Sequence, residues 1–210
     1  IVMFDENGKA YQVIGKTIDI DASKQQFLKL QEEANRDFIT HLFNTTTLAE
    51  KTDALLASKA PNEEVALLLI DLDHFKILAD HYGRLIGDTI LSETAVLLHD
   101  TFPNEITGRI GNDQFVVFLP SVSSRQEIED KANELCQLIR SISIPEKPEA
   151  SVSCSIGYFT TKDTDFTFEI MLLRANVALR SMKSKGGNGC EAYGSLKHSH
   201  ATVSVNDEEK

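Results

Sequence analysis

Three aspartates, Asp71, Asp73 and Asp113, have the type and spacing that could do chemistry. Asp71 and Asp73 end the run VALLLIDLD, whose continuous apolar part is typical of a strand buried on both faces. Residues two apart on a strand project from the same face, so these carboxylates are expected on one side of a sheet. Asp113 stands at the tip of GRIGNDQFVVFLP, residues 108–120, which has the pattern of a β-hairpin. If the hairpin pairs with the buried strand, Asp113 comes close to Asp71.

Such a group of carboxylates suits Mg²⁺, because Mg²⁺ takes oxygen ligands and keeps several waters when it binds phosphates. A structural alternative stays open, since acids at strand ends also cap helices or lie in solvated turns. The hairpin tip poses a further question. A turn needs only flexible residues, yet this one carries an acid followed by an amide, Asp113 and Gln114. Spacing by itself leaves both the metal site and the plain turn open.

The composition argues against several classes of protein, including nucleic-acid-binding and disulfide-rich proteins. A formal net charge of −11 repels phosphate backbones, so binding to DNA or RNA is not expected, although a local site with a divalent cation could hold a small nucleotide. No signal peptide and no apolar run of membrane-spanning length is found, which predicts no membrane segment in this stretch. The cysteines, Cys136, Cys154 and Cys190, form neither a disulfide framework nor a zinc pattern. We therefore expect a cytoplasmic location and, since no Met begins the chain, a piece of a longer protein that could itself be attached to a membrane.

The hydrophobic pattern predicts the elements that position these residues. From residue 45 onward the order is α β α α β β α β α β. Four of the five helices span about residues 45–58, 86–100, 124–139 and 168–183, and the other follows Asp73. The strands span about 65–73, 108–120 as a hairpin, 151–158 and 190–193. Antiparallel neighbours beside helical crossovers predict an α+β fold with a mixed, largely antiparallel central sheet flanked by helices, rather than a doubly wound parallel sheet.

Four segments are expected along the chain. Residues 1–21 predict two strands around a turn and are interpreted as the end of another domain, because a single hairpin is not stable alone. Residues 22–44 begin with a helix over about 22–36, whose thin apolar stripe fits either a connector between domains or a helix packed on its own domain. Residues 45–194 form the main domain, and the polar residues 195–210 predict a disordered tail.

Five motifs, in order, resemble the GGDEF domain of diguanylate cyclases. They are DLDHFK from Asp71, HYG through GD at Asp88, the hairpin with its five-residue tip, CSIGY, and ALRSMKSKGGN. RDFITHLFN, residues 36–44, also resembles the motif that opens the family's domain, and the resemblance covers about residues 37–194. Residues 1–21, with GKTIDID, resemble the closing strand of a PAS-type sensor domain. The resemblance implies a nucleotidyl-cyclase-like fold and cyclic di-GMP signalling, with GTP and Mg²⁺ as ligands.

The resemblance also implies particular site residues. The metal ligands implied for Mg²⁺ are Asp71, the carbonyl of Leu72, and Asp113. The residues implied to bind substrate are His74, Phe75, Lys76, Asp88 and Lys183. The first three offer backbone N–H groups to the triphosphate at a helix N-terminus, where anions are favoured. The aspartate would pair with guanine, and the late lysine would be a point charge for phosphate.

Several positions depart from the family's pattern. The tip reads GNDQF in place of G-G-[DE]-E-F, so Asn112 replaces a Gly and Gln114 replaces the Glu associated with catalysis and metal binding. An amide cannot accept a proton as a general base, a loss worth roughly 10²–10⁴ in rate. Ala79 stands where an Asn would read guanine, and Gly187 stands where an Arg would bind phosphate. The product-inhibition motif R-x-x-D is absent from residues 102–105.

These departures predict a degenerate GGDEF domain with no catalytic residue at the tip. It would act downstream of a sensor as a GTP-binding or protein-interaction module, with other signalling domains or proteins as partners. Two alternatives stay open. One is an active but slow diguanylate cyclase that works as a homodimer. The other is a structural relay without a ligand, which passes movement from sensor to effector domains.

Overall fold

The computed structural model describes residues 2–13, 21, 24–25, 32–144 and 151–194. The chain divides into two compact units, Ile1–Ala34 and Asn35–Lys210. In the first unit, β1 (Val2–Phe4) and β2 (Ala10–Val13) pair antiparallel. The carboxylate of Asp5 accepts the N–H groups of Asn7 and Lys9, both at 2.9 Å, and so closes the predicted turn. The continuation of this strand to residue 20, most of the helix predicted over 22–36, and the tail from 195 lie outside the described residues.

The second unit contains five helices and five strands among its described residues. The helices are α1 (Thr45–Ser58), α2 (Phe75–Tyr82), α3 (Arg84–Thr101), α4 (Arg125–Arg140) and α5 (Phe168–Ser184). The strands are β3 (Val65–Asp73), β4 (Ile106–Arg109), β5 (Gln114–Leu119), β6 (Ser153–Thr161) and β7 (Gly189–Ala192). Their order along the chain is the one predicted from the sequence.

The sheet has the strand order β4-β5-β3-β6-β7. β3 is central and pairs antiparallel with both β5 and β6, whereas β6 and β7 are parallel. The predicted mixed, largely antiparallel sheet is therefore confirmed. Arg36 corrects one predicted boundary, because its backbone forms a bridge with Phe43 and the residue is not helical. Among the described helices, none has the length and apolarity needed to cross a bilayer.

The central strand β3 has a different apolar layer on each face. Leu68, Ile70 and Leu72 belong to the core that also contains residues of α2, α3 and α4. Leu67 and Leu69 belong to the core shared with α1 and α5. Because side chains alternate along a strand, Asp71 and Asp73 continue the second of these faces at the point where the apolar run ends. The strand thus carries two carboxylates to the edge of the core beneath α5.

Gly157 on β6 allows α5 to lie unusually close to the sheet. A Cβ at Gly157 would lie 2.2 Å from the carbonyl oxygen of Ala175 and 2.2 Å from the backbone nitrogen of Leu179, both on α5. Any other side chain would push the helix away. This close approach sets the position of the last turn of α5, which carries Lys183, relative to the end of β3.

Candidate functional site

The site begins at Asp71, where β3 leaves the core. Asp71 is buried, and its two carboxylate oxygens accept from two different side chains. Lys183 Nζ, from the last turn of α5, lies 2.5 Å from Oδ1. Gln114 Nε2 donates to Oδ2 at 2.8 Å, because the pairing of β3 with β5 places Gln114 directly opposite Asp71. The carboxylate is thus held by one cation and one neutral amide.

Asp113 lies beside this group, as the hairpin pattern predicted. Its carbonyl oxygen accepts the N–H of Leu72 at 3.1 Å, which fixes the turn against the end of β3. Burial, together with the negative charge of Asp71, raises the pKa of Asp113, while the charge of Lys183 lowers it. We call Asp71, Asp113, Gln114 and Lys183 the Asp71 cluster. Its two acids are close enough to repel each other.

Asp73, two residues further along β3, has a separate set of partners. Ser155 Oγ donates to Oδ1 and Ser153 Oγ donates to Oδ2, each at 2.7 Å. The backbone N–H of Asn188 donates to Oδ2 at 3.2 Å. We call Asp73, Ser153, Ser155 and Asn188 the Asp73 cluster. Neutral donors surround this carboxylate, so it ties β3, β6 and the turn before β7 together.

The alternation of residues in β6 is a sequence signal for the Asp73 cluster, which the family motifs do not contain. The period-2 pattern of SVSCSIGY places Val152, Cys154 and Ile156 on one face, so Ser153 and Ser155 must project from the other. That face is the one to which Asp73 belongs, because β6 pairs with β3 with Asp73 opposite Ser153. Only the pairing of the strands shows that the serines and the acid meet.

A cavity of about 310 Å³ lies beside the segment that follows β3. It is lined by Asp73, His74, Ser153, Lys183, Gly186 and Gly187. His74 has φ 57°, a left-handed conformation that turns the chain sharply into α2, and no side chain caps this helix N-terminus. Phe75 and Lys76 follow in the first turn of α2. The three residues predicted to offer N–H groups are therefore placed together at a helix start beside Lys183.

A second cavity of about 530 Å³ lies between α2, α3 and the hairpin. Its lining residues are Ile39, Phe75, Ala79, Asp80, Arg84, Gly87, Asp88, Leu91, Arg109 and Asn112. Ala79 and Asp88, both predicted at the guanine position, line the same cavity. The carboxylate of Asp88 lies 3.6 Å from Arg84 Nε, one helical turn earlier. One side of the cavity therefore offers an acid and a cation, whereas Ala79 offers only a methyl group.

The chain matches the sequence model of a known protein family. The sequence model described as "Diguanylate cyclase, GGDEF domain" matches residues 34–189, which is well over half of the chain. The chain belongs to the GGDEF family. The predicted resemblance to this family is confirmed.

Relatives and solved structures agree with this assignment. YhcK of Bacillus subtilis (strain 168) is 35% identical over 140 residues, which cover 62% of this chain and 38% of YhcK. Diguanylate cyclase VdcA of Vibrio cholerae is 28% identical over 181 residues, which cover 84% of this chain and 52% of VdcA. The chain thus spans about half or less of the length of these relatives. One similar solved structure is the crystal structure of the coiled coil and GGDEF domain of DgcB from Caulobacter crescentus in complex with c-di-GMP. Its sequence is 20% identical, and the match covers 82% of this chain and 93% of that chain. The TM-score of 0.76 shows that the two share a fold.

A partly buried ion pair holds the hairpin of this GGDEF domain in place. Arg109, at the end of β4, lies 3.0 Å from Asp37 Oδ1 and donates to the carbonyl oxygen of Asn112 at 2.6 Å. Asp37 also accepts the hydroxyl and the N–H of Thr40, at 2.7 and 2.9 Å. The opening motif of the domain therefore braces the tip that carries Asp113. The motif itself does not indicate this role, because residue 37 and residue 109 are distant in the chain.

Gly187 shows why the turn before β7 departs from the family's pattern. Its φ is +74°, in the left-handed region that favours glycine. A Cβ there would lie 3.1 Å from Ser155 Oγ and 3.3 Å from an oxygen of Asp73. The absence of a larger side chain keeps the Asp73 cluster compact and leaves Lys183 as the cation lining the smaller cavity.

The GGDEF family implies Mg²⁺, and the oxygens of the Asp71 cluster partly fit that ion. Burial and the repulsion from Asp71 both raise the pKa of Asp113, and a cation between the two acids would relieve the repulsion. Both oxygens of Asp71, however, already accept from Lys183 and Gln114. Among the described residues, no group of three or more acidic, histidine or cysteine side chains could hold a metal. Two carboxylates and a carbonyl suit an ion that arrives with phosphate oxygens rather than a free ion.

Proposed function

We propose that this GGDEF domain binds GTP with Mg²⁺ and takes part in cyclic di-GMP signalling without making cyclic di-GMP. The observation that carries the proposal is the hydrogen bond from Gln114 Nε2 to Asp71 Oδ2. A glutamate at this position would be a third carboxylate beside the other two. The neutral amide donates a hydrogen bond to an oxygen of Asp71 that a metal would otherwise contact, and it cannot serve as a general base.

The phosphate side of the nucleotide site keeps its main chemistry. The start of α2 has backbone N–H groups and the positive end of a helix dipole, both of which favour anions. Lys183 lies beside the same cavity and can exchange its contact with Asp71 for a contact with phosphate. Asp71, the carbonyl of Leu72, and Asp113 would then hold the Mg²⁺ that arrives with the nucleotide.

The base side of the site is weaker. Ala79 lines the larger cavity without a hydrogen-bonding side chain, and Asp88 already has Arg84 as a partner. A missing hydrogen bond to a buried polar group costs about 1–3 kcal/mol. We therefore propose that the domain holds GTP mainly through its phosphates and discriminates poorly between GTP and ATP.

The wider role follows from the relatives and from the predicted segments. VdcA is named a diguanylate cyclase, and the DgcB structure was solved with c-di-GMP. We propose that this domain works in the same kind of signalling, after a PAS-type sensor that ends in the first unit, and that it responds to other signalling domains or forms a homodimer. The cytoplasm is the location that fits this role.

The deciding experiment combines purified protein with GTP and Mg²⁺, follows binding by calorimetry, and detects cyclic di-GMP by mass spectrometry. We expect binding without product. Asp71→Asn should weaken binding at least about tenfold, because it removes a metal ligand and the partner of Lys183. Asp100→Asn is the matched control, since Asp100 is exposed on α3 and lines neither cavity.

The other outcomes decide between the alternatives. Product above a control without enzyme, lost in Asp71→Asn, would show a slow cyclase and refute the proposal. No binding and no thermal shift with any nucleotide would show a relay that acts through protein contacts alone. A triple variant, Ala79→Asn with Asn112→Gly and Gln114→Glu, restores the family's residues at three positions. We expect it to yield product where the parent chain yields none.

A further inference from the structure

Two cysteines outside the nucleotide site form a buried pair. Cys136 lies on α4 and Cys154 on β6, 18 residues apart in the chain. Their sulfur atoms are 3.5 Å apart, and Cys136 Sγ also lies 3.7 Å from the carbonyl oxygen of Cys154. The exposed fraction is 4% for Cys136 and zero for Cys154. All three cysteines of the chain are described, and all are free thiols.

We propose that Cys136 and Cys154 are the site of a reversible disulfide, formed by hydrogen peroxide. A disulfide needs its sulfur atoms about 2.05 Å apart, so the pair must close by only about 1.5 Å. Small rotations of both side chains could supply that movement, since α4 packs directly on β6. A small oxidant is required because the pair lies beneath the surface.

The chemistry assigns different roles to the two sulfur atoms. Cys154 S–H donates to Cys136 Sγ, and Cys136 is the more exposed of the two residues, so we assign Cys136 as the sulfur that meets the oxidant first. The Cys136 thiolate attacks one peroxide oxygen, the O–O bond breaks, and a sulfenic acid and hydroxide form. The Cys154 thiol then attacks the sulfenic sulfur and releases water. Two thiols lose two electrons, and the peroxide is reduced to water.

The third cysteine has a different environment. Cys190 on β7 is only half-buried, and its Sγ lies 3.5 Å from Asn133 Oδ1. Burial raises the pKa of Cys190 to about 11. Its sulfur therefore contacts an amide oxygen in place of the second sulfur that Cys136 has, and Cys190 serves as the internal control.

The position of the pair gives the disulfide a structural consequence. Cys154 stands between Ser153 and Ser155, which both donate to Asp73, and it lies opposite Leu72 in the pairing of β3 with β6. A bond to Cys136 would tie α4 to the strand directly behind the Asp73 cluster. Closing this loop restricts the unfolded chain and should stabilise the oxidised domain.

The test treats the folded chain with hydrogen peroxide, blocks remaining thiols with N-ethylmaleimide, and maps the peptides by mass spectrometry. We expect one intramolecular cross-link, Cys136 to Cys154, which dithiothreitol reverses and which Cys190→Ala leaves unchanged. In Cys154→Ala the cross-link should vanish, and dimedone should label Cys136 as a sulfenic acid. Circular dichroism of each variant shows that it is folded.

A cross-link that contains Cys190, a disulfide between two chains, or dimedone labelling confined to Cys190 would overturn the proposal. The same treatment in concentrated urea controls for simple reactivity. There the three thiols should form a mixture of pairings, because the fold no longer selects one. An equal mixture in the folded chain would also overturn it.

Discussion

Asp71 and Asp73 are two carboxylates on the same face of the same strand, yet their surroundings differ. The Asp73 cluster uses two serine hydroxyls and a backbone N–H, all neutral donors from β6 and the turn before β7. The Asp71 cluster uses a lysine and an amide, with a second acid nearby. Neutral donors fixed in the sheet make Asp73 a structural link. A cationic side chain that is partly exposed can leave, which keeps Asp71 available for a ligand.

The different partners of Asp71 and Asp73 indicate which of two neighbouring acids has a functional role. The sequence motif DLD treats both acids alike. An acid whose oxygens are all satisfied by the protein's own neutral donors contributes to stability, and its removal leaves buried donors without partners. An acid that faces another acid is under electrostatic strain, which a bound cation relieves.

The largest effect is expected for Gly157→Ala, which should disrupt the Asp71 cluster and leave the Asp73 cluster intact. The new Cβ would lie 2.2 Å from the carbonyl oxygen of Ala175, so α5 must shift. We expect a loss of about 3 kcal/mol in the free energy of unfolding, measured in urea. Lys183 should move away from Asp71, while Asp73 keeps its serine partners on β6. Gly111→Ala is the control, since its Cβ would meet nothing closer than 3.6 Å; an equal loss in both variants would contradict the close approach.

Asp73→Ala is expected to reduce the free energy of unfolding by about 2 kcal/mol, because the hydroxyls of Ser153 and Ser155 lose their acceptor. Ser155 is fully buried, so water cannot easily replace the carboxylate. Asp71→Ala is the matched control and should cost less than about 1 kcal/mol, since Lys183 can reach water and Asp113 loses a repulsive neighbour. Chemical denaturation of both variants checks this. If Asp71→Ala is the more damaging change, the assignment of structural and functional roles is wrong.

Gln114→Glu should make stability depend on Mg²⁺. The change removes the hydrogen bond to Asp71 and adds a third carboxylate, so we expect a loss of about 1 kcal/mol without the metal. Mg²⁺ should restore part of this loss, seen as a rise in Tm that the parent chain does not show to the same extent.

Gln126→Glu gives a matched control for this prediction. Gln126 Nε2 also donates to an aspartate, Asp130, at 2.9 Å, but on the exposed surface of α4. Its Tm should not respond to Mg²⁺ beyond the response of the parent chain. Equal responses in the two variants would mean that the Asp71 cluster does not bind the ion.

The smallest effect is expected for Asp37→Asn, which tests a third carboxylate held by both neutral and cationic donors. Burial alone would raise the pKa of Asp37, but the donors from Thr40 and Arg109 lower it below 3.8. The folded state therefore binds this proton less tightly than the unfolded state. The stabilisation is present above pH 3.8 and is lost as the pH falls through the folded value. Parent and variant should differ by about 0.5–1 kcal/mol near neutral pH and converge in acid, as measured by urea unfolding; a difference that is constant with pH would refute this.

Much of the fold could be predicted because its signals are local. The apolar run of β3, the Ser124 cap of α4 and the alternation in β6 each determine an element from adjacent residues. At the start of α4 the N–H of Glu127 donates to Ser124 Oγ, so this helix boundary is determined by residues three apart in the chain. The sequence predicts the ends of a strand less accurately where pairing with a neighbouring strand determines them. Gln114 was assigned to the hairpin tip, but it is the first residue of β5, because its position opposite Asp71 extends the ladder.

The sequence by itself determined the order of the elements, the membership of the GGDEF family, and the residue types at the tip. It could not determine partners, because they come from distant segments. The sequence gives no sign that Cys136 and Cys154 are neighbours. The packing of α4 on β6 places their sulfur atoms 3.5 Å apart. In the same way, the pairing of β3 with β5 turned Gln114 into the partner of Asp71, and the approach of α5 over Gly157 supplied Lys183. Local patterns encode elements, whereas packing and strand register decide which side chains meet.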